Sequence, residues 1–236
     1  NLRPVESVPG MHARFDNVSL LVVRETTEDV YANLEHESIP GVFESLKVTT
    51  QTACDRISRF GFELARRHGR KRVTIVHKAN IMKLSDGMFL RTAREVAADY
   101  PDIEVDDVIV DALCMKLILH PEWFDVLLTG NLFGDIVSDL CTGLVGGPSN
   151  APSINTAPDC TLFTAGHRVA AEDAEQNPLT ILVPLERMLV HLGEHDAARK
   201  LSGALERTLT SGIRPSAIGG STDGAAFCAA VVDALA

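Results

Sequence analysis

The chain predicts an α/β protein, and three observations lead there. Short continuous apolar runs of buried-strand length recur between longer segments whose apolar residues keep helical spacing. Apolar residues make up 45% of the 236, enough for a substantial core, while aromatics are only 5% and Val, Leu, Ile and Ala predominate. No internal repeat or low-complexity tract interrupts the alternation.

The elements follow in order. Asn17-Val-Ser-Leu-Leu-Val-Val-Arg24 reads as a buried strand, and residues 28–45 as an extended arm punctuated by Pro40 and Gly41. Ala53, Ile57, Phe60 and Leu64 recur at helical spacing and predict a helix over 50–68. Residues 71–77 form the next strand, 85–100 a helix closed by Pro101, 103–110 a strand and 111–119 a short helix. A continuous apolar strand over 124–129 leads into a helix that begins near Leu132. Beyond Gly146 the composition changes: 146–155 and 165–177 read as loops, and 178–192, 195–211 and 222–235 as helices.

A formal charge of −10 argues against nucleic acid or an anionic membrane as partner, although local cations can still bind a small acid. The five cysteines are odd in number and none form Cys-x-x-Cys, so they read as buried reduced thiols of a cytosolic or matrix protein. No stretch reaches the length of a membrane span and no signal peptide is visible. The chain opens on Asn1 without a preliminary element, and the expectation is a fragment or processed product of something longer.

Several residues carry possible chemistry. Asp135 and Asp139 stand four apart at the carboxyl end of a strand, which on a helix puts both carboxylates on one face, about 6 Å apart at Cβ. The pair reads either as a solvated helix face or as ligands of a divalent cation that offsets their repulsion. Asp111, also at a strand end, would complete an all-oxygen set suited to Mg²⁺ or Mn²⁺ rather than zinc. Arg3 and Arg24 are shaped to hold carboxylates, or are ordinary surface arginines. Lys78, with Asn80 beside it, follows a buried strand and reads as a proton-transfer lysine or a snorkelling one. Tyr31 is one of two tyrosines, a core or interface ring on the plainer reading. No Gly-x-Gly-x-x-Gly follows a strand, so an ordinary Rossmann cofactor site is unsupported.

Taken together, three segments come in a telling order: Arg24-Glu-Thr-Thr-Glu-Asp-Val-Tyr-Ala-Asn-Leu-Glu-His36, His77-Lys-Ala-Asn-Ile-Met-Lys-Leu-Ser-Asp-Gly87 and Asn131-Leu-Phe-Gly-Asp-Ile-Val-Ser-Asp-Leu140. They closely resemble the β-decarboxylating dehydrogenases, the isocitrate/isopropylmalate dehydrogenase family, and the arm looks most like NAD-dependent isocitrate dehydrogenases. The resemblance implies that family's two-domain α/β fold with the large domain incomplete. Residues 1–146 would form the small domain with a dimer-clasp arm over 31–46, and 147–236 the C-terminal part of the large, cofactor-binding domain.

The same resemblance implies roles. Arg3 and Arg24 would grip substrate carboxylates, Tyr31 would protonate the enol carbon after CO₂ leaves, and Lys78 would handle the hydroxyl proton; Lys78, Asn80 and Asp111 would serve the neighbouring protomer's site. Asp135 and Asp139 would face the Mg²⁺ or Mn²⁺, with Asp111 supplied by a second subunit. Asn80, His167 and Asn177 would lie on the NAD side. The implied reaction is oxidative decarboxylation of isocitrate, a hydroxy-tricarboxylate, to 2-oxoglutarate with reduction of NAD, in a homodimer or paired heteromer. Isopropylmalate, homoisocitrate or tartrate are alternative substrates, and a regulatory or degenerate non-catalytic subunit is an alternative role.

Two departures shape the expectation. The family's opening part is expected to lie before Asn1, so these residues alone should turn over little. The adenine-side loop is altered: His167 and Asn177 keep its end points, but it is shorter and lacks the usual glycines. Glu172 or Asp173 could still bond the adenosine ribose, which would favour NAD over NADP.

Overall fold

The first two strands go to different halves of the chain. The computed structural model describes residues 1–166 and 177–235. Strand β1 (Leu2–Glu6) belongs to a unit made of Leu2–Ser19 and Cys141–Ala236, whereas β2 (Ser19–Arg24) runs into a unit made of Asn1 and Leu20–Leu140. The sequence reading divides the chain after 146 and keeps residues 2–19 with the first part. The compact units divide it after 140 and group residues 2–19 with the second.

In the first unit the chain passes from β2 through a 3₁₀ turn (Val30–Ala32) to a hairpin of β3 (Glu35–Ile39) and β4 (Val42–Ser45). Then follow α1 (Gln51–Arg67), β5 (Arg72–His77), α2 (Ser85–Ala97), β6 (Glu104–Ile109), α3 (Val110–Leu119), β7 (Val126–Thr129) and α4 (Asn131–Leu144). The expected arm over 28–45 is therefore a turn and a hairpin, whose strand residues are all exposed, Ile39 and Phe43 included.

Four strands lie in the order β6-β5-β7-β2, and every neighbouring pair is parallel. Strands covered on both faces read as unbroken apolar runs, which is why β2, β5 and β7 are legible in the sequence. Leu20, Val22, Ile75, Leu127 and Leu128 are fully buried. β6 is different: Glu104, Asp106 and Asp107 are exposed on it, and charge of this kind discourages an edge strand from pairing with another chain. Helix α1 turns Ala53, Cys54, Ile57, Ser58, Gly61, Phe62 and Ala65 inward. It starts where the Thr50 hydroxyl accepts the Ala53 N–H at 3.2 Å, and the chain leaves it through Gly69 at φ 64°.

The second unit holds β1, β8 (Pro152–Thr156) and β9 (Thr161–Ala165), with β8 antiparallel to both of the others. Helices α5 (Leu179–His191), α6 (His195–Thr210) and α7 (Gly224–Leu235) follow. Leu179, Leu201, Leu205, Leu209, Phe227 and Met11 form its core. Gly10 is required here: it sits at φ +84°, and a Cβ on it would come within 2.7 Å of the Leu209 carbonyl carbon.

Three strands contradict the sequence reading, which predicts neither β1 nor β9 and places 146–155, most of β8 included, in a loop. Pro4 and Pro152 argue against ladders, yet Pro152 is the first residue of its strand, where a missing N–H costs least. The cysteines also need correction. Cys54 and Cys141 are buried, but Cys160 is exposed.

Phe62 has no exposed surface, and its ring stacks on Tyr100 at 5.3 Å between centroids. Phe62→Ala should cost roughly 3–5 kcal/mol of unfolding free energy in a urea titration, because it removes both the buried ring and its stacking contact. A loss under about 1 kcal/mol would show that this helix is not anchored through Phe62.

Candidate active site

Register sets the site. Arg24 pairs with Thr129 across β2 and β7, Val76 with Thr129 across β5 and β7, and His77 with Ile109 across β5 and β6. The carboxyl ends of four parallel strands are therefore level. Each leads directly into a segment carrying a candidate residue, at the edge where open α/β sheets place their ligands.

Arg24, the last residue of β2, is buried. Its Nε and Nη2 both donate to Asn131 Oδ1, at 3.0 and 2.7 Å, and its Nη1 donates to Asp135. Asn131 is itself fixed, donating from Nδ2 to the Glu28 carbonyl at 2.9 Å. The guanidinium also stands over the Tyr31 ring, 5.3 Å from its centroid. Tyr31 is half-exposed, and its hydroxyl donates to the other oxygen of Asp135. That hydrogen bond, helped by burial, raises the phenol pKa above its ordinary value, so the hydroxyl keeps its proton at neutral pH. Guanidinium and phenol thus converge on one carboxylate. Asp139 lies one turn further along the same face of α4 and is exposed.

This approach depends on Gly134. A Cβ there would lie 2.3 Å from Thr129 Oγ1 and 2.5 Å from Arg24 Cγ. Only a residue without a side chain lets α4 lie this close to the end of β2.

The turn after β2 is built by acids. Glu25 is buried and accepts the Thr27 N–H and hydroxyl, the Glu28 N–H and the Arg56 guanidinium, the last at 3.0 Å. Burial pushes its pKa up, but the hydrogen bonds from Thr27, Glu28 and Arg56 outweigh burial and hold it below the ordinary carboxylate range. Glu28 reaches forward to accept the Thr50 N–H and hydroxyl, both at 2.8 Å, which ties this turn to the start of α1.

A second group forms after β5 and β6. Lys78 Nζ donates to Asp111 at 2.7 Å, and this bond lowers the Asp111 pKa. The loop carrying Lys78 is fixed by its backbone: Asp86 accepts the Lys78 N–H at 2.7 Å, and His77 Nδ1 accepts the Ala79 N–H at 3.0 Å. With Nδ1 accepting, the His77 Nε2 proton faces Asp107 at 2.9 Å. Asn80 is exposed.

The other candidates are placed as follows. Arg3 lies in the second unit and donates to the Gly166 carbonyl at 2.7 Å. Asn177 is buried and donates to Ser149 Oγ at 2.7 Å, while its Oδ1 has no hydrogen bond among the described residues. His167, Glu172 and Asp173 lie outside the described residues. Asp111 is paired with Lys78, and among the described residues no three His, Cys, Asp or Glu side chains gather as a metal site. Asp135 and Asp139 fit Mg²⁺ or Mn²⁺ in donor chemistry, being carboxylates on one helix face, but they supply only part of a ligand set. Asn131 and Gly134 are the residues that pattern reading passes over. Their signal is position: Asn131 directly follows Gly130 at the end of a buried strand, and Gly134 lies one helical turn beyond it.

A parallel α/β unit with cations and acids opposed at its carboxyl edge is the layout of a site for small anions. The family model described as isocitrate/isopropylmalate dehydrogenase matches residues 1–235, and the chain belongs to that family. It is 43% identical to catalytic subunit 5 of mitochondrial NAD isocitrate dehydrogenase from Arabidopsis thaliana, over 100% of this chain and 64% of that protein. It is 44% identical to chloroplastic 3-isopropylmalate dehydrogenase from Solanum tuberosum, over 92% of this chain and 62% of the relative. With a regulatory subunit of mitochondrial NAD isocitrate dehydrogenase from Dictyostelium discoideum it shares 42%, over 98% of this chain and 66% of that protein. The chain thus spans just under two thirds of the length of these relatives. Among solved structures, isocitrate dehydrogenase from Methylococcus capsulatus superposes with a TM-score of 0.93 at 40% identity, over 99% of this chain and 72% of that one. No helix among the described residues is long and apolar enough to cross a membrane.

Two outcomes are expected. Glu25 has a depressed folded pKa, so its contribution is complete above the unfolded value of about 4.3 and is lost as pH falls through the folded value. Glu25→Gln should therefore cost roughly 1–3 kcal/mol at pH 7 and progressively less below pH 4, read from urea midpoints across pH; a pH-independent cost would contradict this. Gly134→Ala should displace Arg24 and destabilise by roughly 1–3 kcal/mol, and a stability matching the parent would show that α4 can shift freely.

Proposed function

We propose that the protein is a metal-dependent oxidative decarboxylase of a 2-hydroxy acid, with isocitrate as substrate and NAD as hydride acceptor. The observation that carries this reading is the convergence of Arg24 and Tyr31 on Asp135 at the carboxyl edge of the parallel strands. Arg24, preoriented by Asn131, holds a substrate carboxylate. Tyr31, protonated at neutral pH, gives its proton to the carbon that CO₂ leaves. Lys78 takes the hydroxyl proton of the substrate in the neighbouring protomer's site, where Asp111 beside it stabilises the charged amine.

Asp135 and Asp139 would hold Mg²⁺ or Mn²⁺, with Asp111 of a second copy or of a paired subunit as a further ligand. When bound, the cation stabilises negative charge on substrate oxygen as a Lewis acid. NAD would supply the hydride acceptor. On the NAD side, Asn177 offers a buried carboxamide oxygen with no hydrogen bond among the described residues, placed to accept from a group such as an adenine amine. Asn80 and His167 are the other residues assigned to that side. The arm over residues 31–46 would clasp the second subunit, and its exposed Ile39, Val42 and Phe43 favour that use.

A second reading, a regulatory subunit, draws support from the 42% identity to a relative named as regulatory. Similarity to isocitrate and isopropylmalate dehydrogenases is nearly equal, so only the arm sequence with Tyr31 and Leu34-Glu-His36 favours isocitrate.

NADH formation by the full-length protein is the direct test, with isocitrate and 3-isopropylmalate compared in the presence of Mn²⁺. Turnover on isocitrate supports the leading reading. Silence alone, with stimulation of a catalytic subunit on mixing, would replace it by the regulatory one. Asp135→Asn should abolish Mn²⁺-dependent isocitrate binding in calorimetry, and binding equal to the parent would remove Asp135 from the metal site.

A further inference from the structure

Between the hairpin and α1, Lys47 carries a largely buried ammonium held by two more deeply buried acids. Its Nζ lies 2.7 Å from Asp86 Oδ1 and 3.4 Å from Asp29 Oδ2, with side-chain exposures of 18%, 5% and 4% for Lys47, Asp86 and Asp29. It also stands 5.0 Å from the centroid of the Phe133 ring, on α4. A cluster this buried persists because its charges are paired.

Each acid does something besides neutralising the lysine. Asp86 uses Oδ2 to accept the backbone N–H of Lys78 at 2.7 Å. Asp29 accepts the N–H of Val30 at 2.8 Å and that of Leu132 at 3.2 Å, so one carboxylate binds the turn entering Tyr31 and the first turn of the helix carrying Asp135. Asp29 itself has φ 78°, a backbone state rare outside glycine, which holds only where surrounding contacts impose it. The Val48 N–H and carbonyl, adjoining Lys47, close around the Asp29 backbone at 3.3 and 2.9 Å. The cavity beside the cluster is about 20 Å³, room for a water and not for an organic acid.

We propose that Lys47 is a positioning residue that sets the Tyr31 turn and the Lys78 loop through one ion cluster, without touching substrate. The assignment rests on the proposed roles of Tyr31 and Lys78. Because Lys47 neutralises both acids, it fixes one backbone N–H at Lys78 and two more beside Tyr31 and at the start of α4. Geometry at both proton-transfer groups then depends on a single side chain.

The experiment measures Lys47→Met, Lys47→Arg and a neutral set (Asp29→Asn, Lys47→Met, Asp86→Asn) in the intact protein. The neutral set is included because Lys47→Met alone strands two buried carboxylates and can unfold the chain. Amide hydrogen exchange, with no substrate present, should rise by roughly tenfold or more at Lys78, Val30 and Leu132 in the neutral set, while β5 and β7 keep their protection. With isocitrate, Mn²⁺ and NAD, kcat should fall roughly 100-fold with KM nearly unchanged, and Lys47→Arg should restore most of it. Unchanged exchange at those three amides overturns the proposal, as does uniform loss of protection across the first unit, which a merely structural lysine would give. If the parent protein is silent with isocitrate and isopropylmalate, the functional reading falls, and the exchange pattern still decides the positioning role.

Discussion

Everything at the site hangs on parallel pairing that keeps four strand ends level. β2, β7, β5 and β6 are locked side by side, and each delivers its next residues to the same edge. Side chains alternate between faces with a period of two, so a slip of one residue in β2 would turn Arg24 to the opposite face. Its three hydrogen bonds to Asn131 and Asp135 would then be lost together. The apolar residues of β2, β5 and β7 are buried, and that burial makes the register expensive to change.

The acidity of the chain has a structural side. Glu25, Asp29 and Asp86 are all buried, and each accepts at least one backbone N–H in a segment between regular elements. These segments cannot satisfy their own donors as helices and strands do, so carboxylates serve instead. Burial also acts on the thiol among them: Cys54 is pushed up to about 12, with Glu28 and Glu25 adding to the effect. A thiol of that kind packs as a small apolar group.

The parallel half of the fold was legible because strands buried on both faces leave unbroken apolar runs, and helices such as α1 leave a clear stripe. The antiparallel strands β1, β8 and β9 were not, since they are short, and among them they carry prolines or mix Ser, Asn and Thr with apolar residues. Spacing alone put Asp135 and Asp139 on one helix face. The partners of Asp135 were beyond its reach, because Arg24 and Tyr31 lie 111 and 104 residues away in the chain. Lys78 with Asp111 shows the same limit: both stand out as strand-end residues, and only the side-by-side placement of β5 and β6 joins them. The pairing of Lys47 with Asp29 and Asp86 left no signal, because a buried ion cluster has no periodicity to read.

The close approach at Gly134 ties three distant positions into one volume. The space a methyl group would need is occupied from one side by Arg24 and from the other by Thr129. A side chain at 134 collides with both residues at once, so a change at either 24 or 129 alone leaves the other collision in place. Positions 24, 129 and 134 therefore act as one steric unit: a side chain at 134 needs room from both of the others, or a helix that has moved away from the strand end.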